Sequence, residues 1–476
     1  MTQFITEAKN YQHKRQAFWA TIAQAKGAGR ARYYRERLKK IYRLLIPEGA
    51  TVLELGCYKG DLLAALKPAN GVGVDFCSEA VAQAASGHPQ LTFLNADVHS
   101  LDLEQKTFDY IVVSDLVNDL WDIQAVLLQI RPYCTSRTRL IFNFHSHLWN
   151  FPLSIARRLG LANPVLRQNW ITKQDLRNLL EISGFEPLRS WEEIVIPVDL
   201  PWISGFANRW LAKLSPFRYL ALANFVLARP QAVPASKVPT VSVIVAARNE
   251  AGHLAELLSR IPEMGAGTEI IFVEGNSTDN TYEAIEDLIS EHPQKNLKLF
   301  KQKGKGKGDA VRLGFEQATG DILMILDADI TVPPEDLPRF YNLMATGQAE
   351  FVNGVRLVYP MDDDAMRFAN LLGNKFFSWM FTWLLGQHIR DTLCGTKVLW
   401  KTDYERIKEN RAYFGDFDPF GDFDLLFGAA KLNLKIMEVP IRYRARTYGE
   451  TNISRWSHGW LLLKMVVFAA RRVKFV

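Results

Sequence analysis

Short apolar runs alternate with stretches of helical spacing along the whole chain. In the first half the runs are TVLELG (51–56), GVGVDF (71–76), LTFLNA (91–96), FDYIVVSD (108–115) and RLIFNF (139–144). In the second half they are VSVIVAA (241–247), EIIFVEG (269–275), LKLFKQ (297–302), DILMILDA (321–328) and FVNGVRL (351–357). Unbroken Val/Ile/Leu strands separated by helices predict parallel sheets covered on both faces. The stretch LARPQAVPASKVPT (227–240) has no periodicity and carries Pro230, Pro234 and Pro239. It follows a helical-looking segment and predicts a linker at 229–239, between a domain at 1–228 and another at 240–476.

The 476 residues are too many for one ordinary core, which agrees with a division into domains. A net charge of +6 admits an anionic partner: nucleic acid, acidic lipid headgroups or a phosphorylated substrate. Cys57, Cys77, Cys134 and Cys394 are scattered, so neither a zinc site nor a disulfide framework is expected, and a reduced, cytoplasmic setting is. The opening MTQFITEAKNYQHKRQ has no apolar core of a signal peptide. No run reaches the roughly 18 apolar residues of a spanning helix. FFSWMFTWLLG (376–386) and WLLLKMVVFAARRVKFV (460–476) come nearest, and the second is broken by Lys464, Arg471, Arg472 and Lys474. Such patterns suit amphipathic helices lying in a membrane interface.

Ligands on sheets of this kind bind beyond the carboxyl ends of the strands. The first strand runs into ELGCYKGDLLAAL (54–66), which places Glu54, Gly56 and Gly60 at a strand-to-helix turn where backbone can approach a ligand. The second strand ends in Asp75, placed to meet a ribose diol, and the third in Asn95-Ala96-Asp97, placed to meet an adenine edge. Over residues 45–190 this pattern resembles class I S-adenosylmethionine-dependent methyltransferases. The resemblance implies a Rossmann-like fold and S-adenosyl-L-methionine as cofactor, with Glu54, Gly56 and Gly60 on its methionine side, Asp75 on the ribose and Asp97 on the adenine. Tyr58 stands where that family usually has glycine. The GxGxxG of a nicotinamide site is absent. Candidates for a base that deprotonates a methyl acceptor are Asp115, Asn118, Asp119, His145 and His147, past the fourth and fifth strands. A scaffold without catalysis is the alternative for this half.

In the second half Arg248-Asn249-Glu250 follow one strand, Glu274 ends another with Asp279 beyond it, and a basic loop KQKGKGKGDA (301–310) comes next. DILMILDADITVPPEDL (321–337) then drives an apolar strand into Asp327-Ala328-Asp329. Order and spacing resemble inverting family 2 glycosyltransferases from about residue 240 onward. This implies a GT-A nucleotide-sugar-binding fold with Arg248, Glu250, Glu274, Asp279 and Lys307 (or Lys305) along the donor. Asp327 and Asp329 would be the pair holding a divalent metal, Mg or Mn. NGVRLVYP (353–360), AMRFANLLGNKFF (365–377) and DTLCGTKVLW (391–400) resemble the dolichyl/polyprenyl-phosphate mannose synthase branch of the family. That branch implies Arg356 and Arg367 on the acceptor phosphate, with Asp422, and next Asp424, in the acidic motif near the acceptor. Arg442, Arg444, Arg446 and Arg455 would close over phosphate. Many such enzymes have Asp-Asp where this chain has Glu274-Gly275, and Gln near Thr331.

The expectation is therefore an α/β enzyme of two domains, peripheral to the cytoplasmic face of a membrane. It would move a sugar from a GDP- or UDP-linked donor to a polyprenyl phosphate, with the fused domain methylating the same or a neighbouring glycan. Two alternatives remain open: a saccharide or protein hydroxyl as acceptor with Asp422 as general base, and a non-catalytic membrane-associated scaffold. A nucleic-acid partner is not expected, because the basic residues lack an interleaved aromatic platform.

Overall fold

The protein was analysed as a computed structural model that describes residues 2–24, 31–105, 107–160, 162, 164–356, 358–359, 368–409, 422–443 and 455–475. It divides into two compact units, Met1–Gln231 with Lys474–Val476, and Ala232–Val473.

The first unit is built on seven strands: β1 (Thr51–Leu55), β2 (Asn70–Asp75), β3 (Thr92–Asn95), β4 (Phe108–Ser114), β5 (Cys134–His145), β6 (Phe185–Glu193) and β7 (Ala223–Pro230). Their order is β3-β2-β1-β4-β5-β7-β6. The first five run parallel, as expected, but β7 is antiparallel to both β5 and β6, so the sheet is mixed. This corrects two readings. The helical-looking segment before the linker is a strand, and the linker expected from residue 229 begins only after Pro230. ANFVLARP is rich in helix formers, but a slot between two strands decides its conformation, and strand preference is set largely by such surroundings. Its Ala223, Phe225, Val226, Leu227 and Ala228 are all buried.

The second unit repeats the plan with β8 (Val241–Ala247), β9 (Thr268–Glu274), β10 (Asn296–Lys301), β11 (Ile322–Asp327), β12 (Phe351–Val355), β13 (Lys397–Trp400) and β14 (Ile436–Pro440). The order is β10-β9-β8-β11-β13-β12-β14, with β13 antiparallel to β11 and β12. This sheet is also mixed rather than parallel. Strand β11 lies between β8 and β13, and Ile322, Leu323, Met324, Ile325 and Leu326 are all buried, which is why its sequence shows no alternation. The edge strands β3 and β10 have no fully buried residue.

In each unit the strand order reverses beside the first strand, between β1 and β4 and between β8 and β11. A crevice for ligand opens at the carboxyl ends on either side of such a point. The opposite ends are clamped in the same way twice. Asp109 Oδ2 accepts from Thr51 N–H and Oγ1 at 2.8 Å each, and Asp321 Oδ2 accepts from Thr240 N–H and Oγ1 at 2.9 Å each. Both clamps fix the register of the two strands that flank the crevice.

The helix Phe368–Leu385 has two characters: Phe381, Leu384 and Leu385 are buried, Phe381 stacking on Phe427 at 5.4 Å, while Lys375, Phe376 and Trp379 are exposed. In Arg455–Val473, Met465, Val466, Ala469 and Ala470 are buried and Trp460, Lys464 and Val467 face outward. Among the described residues no helix is long and apolar enough to cross a membrane.

Asp321→Ala removes two accepted hydrogen bonds from the β8–β11 clamp. It is expected to cost about 1–2 kcal/mol, read as a lower denaturant midpoint with unchanged slope.

Candidate active sites

In the first unit the turn after β1 is shaped by its glycines. Gly56 and Gly60 have φ of +70° and +74°, and a Cβ at Gly60 would lie 2.5 Å from the Phe93 ring. Tyr58 also has a positive φ, +48°, a backbone conformation that favours glycine. Its ring packs edge-on against Trp19 at 5.8 Å. Glu54 is 3% exposed, and its Oε2 has no hydrogen-bond partner. Burial pushes its carboxyl up to about 8, against a backbone hydrogen bond from Leu63. Asp75 accepts the N–H of Tyr58 at 2.8 Å and that of Cys77 at 2.9 Å, yet burial outweighs them and raises it. Burial also opposes ionisation of Asp97, but His99 and Gln12 hold its carboxyl below the usual range. These three acids and two glycines come together along the carboxyl ends of β1, β2 and β3.

Nothing in the sequence pointed to the helix Thr2–Gln24 as part of this site, since its partners are remote in the chain. Gln12 Nε2 donates to Asp97 Oδ2 at 2.6 Å, Gln16 Nε2 to Phe76 O at 3.0 Å, and Arg15 lies 3.6 Å from Asp119.

The structure separates the five candidate bases. Asp119 faces Arg15, and His147 Nε2 is 2.7 Å from Ile171 O, with burial lowering the imidazole's basicity. Asn118 Oδ1 accepts the His145 N–H at 3.2 Å. Asp115, at φ +53°, accepts from Tyr34 Oη at 2.9 Å and Asn143 Nδ2 at 2.6 Å, and its carboxylate lies 3.6 Å from His145 Nε2. Tyr42 Oη donates to Asn143 Oδ1 at 2.7 Å, which fixes the amide's orientation. Tyr34, Tyr42 and Asn143 were not foreseen.

In the second unit Arg248 is exposed just past β8, and the turn is held by Asn249 at φ +56°. Asn249 N–H donates to Ser277 Oγ at 3.1 Å, and its Oδ1 accepts the Thr278 N–H at 2.8 Å. Glu250 N–H donates to Thr281 Oγ1 at 3.0 Å, and Thr281 in turn hydrogen-bonds Asp279 Oδ1. Glu274 accepts the Ser277 N–H at 2.5 Å, is 1% exposed, and lies 3.9 Å from Lys301. Arg248, Glu250, Glu274 and Asp279 thus line one connected pair of loops after β8 and β9.

Asp327 ends β11 and forms an ion pair with Lys307, at the start of the helix Lys307–Gln317. Burial works against its ionisation, but Lys307, with the more distant Lys397 and Arg356, holds the carboxyl below the usual range. A Cβ at Gly395 would overlap both Asp327 Oδ2 and Lys307 Nζ, so only glycine leaves room for the pair. Asp329 Oδ1 accepts from Thr331 Oγ1 at 2.7 Å and Thr331 N–H at 3.2 Å. Thr331 therefore orients Asp329. Lys305 is exposed.

Arg356 is held by Asp391 in a fork, Nε to Oδ2 at 2.7 Å and Nη2 to Oδ1 at 2.9 Å, and its guanidinium lies 5.1 Å over the Tyr443 ring. Asp391 is fully buried; burial would raise it, and the Arg356 charge and hydrogen bonds outweigh that and lower it. Asp391, Gly395 and Lys397 all fall in DTLCGTKVLW, which was noted without assigning roles. Asp424 is partly buried in the helix Asp422–Lys431, and Arg442 lies 5.2 Å over the Tyr359 ring. Arg367, Arg444 and Arg446 lie outside the described residues, as do the side chains of Asp422 and Arg455.

Asp327 and Asp329 are carboxylates of the kind that hold a Mg or Mn ion, which binds through one or two carboxylates and completes its shell with water and substrate phosphate. Among the described residues no group of three or more metal-ligating side chains occurs.

Glu54→Gln tests the strained carboxyl. The folded state keeps a proton up to about pH 8 that the unfolded chain gives up near 4.5, so stability falls as pH rises between those values. The substitution is expected to flatten that slope and to add roughly 3–5 kcal/mol above pH 8, measured by denaturant unfolding across the range.

Residues 12–190 match the family model "Methyltransferase domain", and residues 242–402 match "Glycosyl transferase family 2". A dolichol-phosphate mannosyltransferase from Pyrococcus furiosus is 31% identical over 218 residues, 45% of this chain and 59% of that protein. The low-salt glycan biosynthesis hexosyltransferase Agl6 of Haloferax volcanii is 26% identical over 240 residues, 49% of this chain and 54% of its own. The chain thus spans little more than half the length of these relatives. A solved glucosyl-3-phosphoglycerate synthase from Mycobacterium tuberculosis aligns with TM-score 0.37 and 18% identity, covering 50% of this chain and 81% of that one. The chain thus carries two α/β units, one similar over residues 12–190 to a methyltransferase domain and one similar over residues 242–402 to glycosyl transferase family 2.

Proposed function

We propose that the protein is a bifunctional enzyme: its second half transfers a sugar, with inversion, from a GDP- or UDP-linked donor to a polyprenyl phosphate, and its first half methylates a hydroxyl of the same or a neighbouring glycan. The observation that carries the first part is the cluster of Asp327, Lys307, Arg356 and Asp391 at the end of β11 and β12. It pairs a metal-compatible carboxylate with two cations suited to phosphate. The similarity to a dolichol-phosphate mannosyltransferase supports the acceptor class.

Asp327 and Asp329 would hold the divalent ion, which when bound neutralises charge on the departing diphosphate. Arg248, Glu250, Glu274 and Asp279 line the donor's nucleoside side. Lys307, paired with Asp327 here, would supply a positive charge for the diphosphate. Arg356, kept in one orientation by Asp391, receives the acceptor phosphate in the planar geometry arginine favours, with Arg367 as its expected companion. The acceptor is already an anion, so Asp422 and Asp424 serve to place it rather than to remove a proton. The helices Phe368–Leu385 and Arg455–Val473 turn Trp379, Trp460 and Lys464 to the cytoplasmic face of a membrane, where a lipid acceptor resides.

In the first half, Glu54, Gly56, Gly60, Asp75 and Asp97 would hold S-adenosyl-L-methionine, which when bound supplies an electrophilic methyl group. The unpartnered, buried Glu54 oxygen fits the ligand's amino group. His145, beside Asp115, would take the proton from the acceptor hydroxyl, and Asp115, Tyr34 and Asn143 position it.

Incubation with polyprenyl phosphate, Mg or Mn and a panel of GDP- and UDP-sugars, with mass spectrometry of the lipid extract, tests the transfer. Asp327→Ala is expected to lower turnover by at least about a hundredfold, and Asp422→Asn to have a small effect. A complete loss with Asp422→Asn would instead favour a hydroxyl acceptor. His145→Ala is expected to reduce methyl transfer by about 10²–10⁴ while cofactor binding, read by calorimetry, stays unchanged.

A further inference from the structure

The first unit exposes more large apolar side chains than its fold requires, and they are concentrated in two segments. In and beside the helix Asn150–Arg158, Leu148 is 64% exposed, Phe151 74%, Ile155 43% and Leu159 68%. Their spacing of three, four and four residues draws one stripe down the helix. Leu153 and Trp149 pack against the core on the other side, so the helix is anchored and its apolar stripe faces solvent. No residue of this helix is buried. The second segment opens with Trp202, 93% exposed, followed by Ile203 and Phe206 at 59% each, and ends with Phe217, Tyr219 and Leu220. Trp149 Nε1 donates to Leu220 O at 2.8 Å, which ties the two segments together.

The charge on both segments has one sign. Residues 146–171 contain no Asp or Glu and carry Arg157, Arg158 and Arg167; residues 200–222 contain none and carry Arg209 and Arg218, while Lys213 is buried in an ion pair with Glu193. Arg158, Arg167 and Arg209 are exposed. An apolar stripe flanked by arginine and tryptophan, without acidic residues, has the composition of a helix that lies in an anionic lipid interface. A protein–protein interface would be expected to mix signs at its rim.

We propose that the first unit has its own membrane-contact surface, formed by residues 146–160, 164–171 and 200–222, that seats on anionic phospholipid. The surface starts at Ser146, the residue after His145, at the carboxyl end of β5. A lipid-linked acceptor lying in that interface would meet the methyl-transfer crevice from its membrane side. The inference adds to the contact assigned above to helices of the second unit and stands apart from it.

The test places an environment-sensitive fluorophore on the full chain through Phe151→Cys, with mock-labelled wild type as baseline. Vesicles of phosphatidylcholine with phosphatidylglycerol are expected to shift its emission to the blue, brominated acyl chains to quench it, and pure phosphatidylcholine to act weakly. Arg157→Gln with Arg158→Gln should weaken partitioning into the anionic vesicles by about 25-fold. Unchanged emission overturns the proposal, and if the protein still sediments with the vesicles, the contact belongs to the second unit alone. A blue shift that grows with protein concentration without vesicles also overturns it, showing that a second copy covers the stripe.

Discussion

An apolar strand that ends in a carboxylate sets the central constraint of the second unit. Strand β11 is buried on both faces, and its last residue, Asp327, keeps only a quarter of its side-chain surface in contact with solvent. A charge in that position needs a partner, because burial alone would drive it to the neutral form. The chain meets the need with Lys307 at the N-terminus of a neighbouring helix and supports it with Lys397 and Arg356. Arg356 in turn is locked by the fully buried Asp391. The resulting chain of alternating charges reaches from the metal-compatible end of β11 to the position proposed for acceptor phosphate. Gly395 is required by the space that the first pair occupies.

The first unit handles its acids differently. Asp75 is met by backbone N–H groups and Asp115 by Tyr34 and Asn143, and burial leaves both raised. Glu54 is pushed furthest. A cationic ligand relieves such a site, whereas the second unit, already supplied with lysine and arginine, suits an anionic one. The two halves share a sheet order at the crevice and differ in the sign of what they are prepared to receive.

Much of both sites was legible because chemistry sits where strands end. Asp75, Asp97, Glu274 and Asp327 each follow or close an apolar run and Glu54 lies one residue inside the end of another, so pattern alone placed them toward one edge of a sheet. Thr331 shows the limit of that reading. By resemblance it stands near the place where many such enzymes have Gln, and only the structure shows that its hydroxyl orients Asp329. Strands β6, β7, β13 and β14 were missed because they are short or rich in helix formers, and pairing decides their state.

The sequence by itself determined the two α/β halves, the first five strands of each in chain order (β1–β5 and β8–β12), and the acids near their ends. These depend on local periodicity and on residue type. The tertiary structure decided the partners: Lys307 twenty residues before Asp327, Asp391 thirty-five after Arg356, and Gln12 eighty-five before Asp97. It also decided that β7 and β13 run against their neighbours. Ion pairs and ladder bonds of this kind form between segments whose separation carries no periodic signal, so only the packed sheet specifies them.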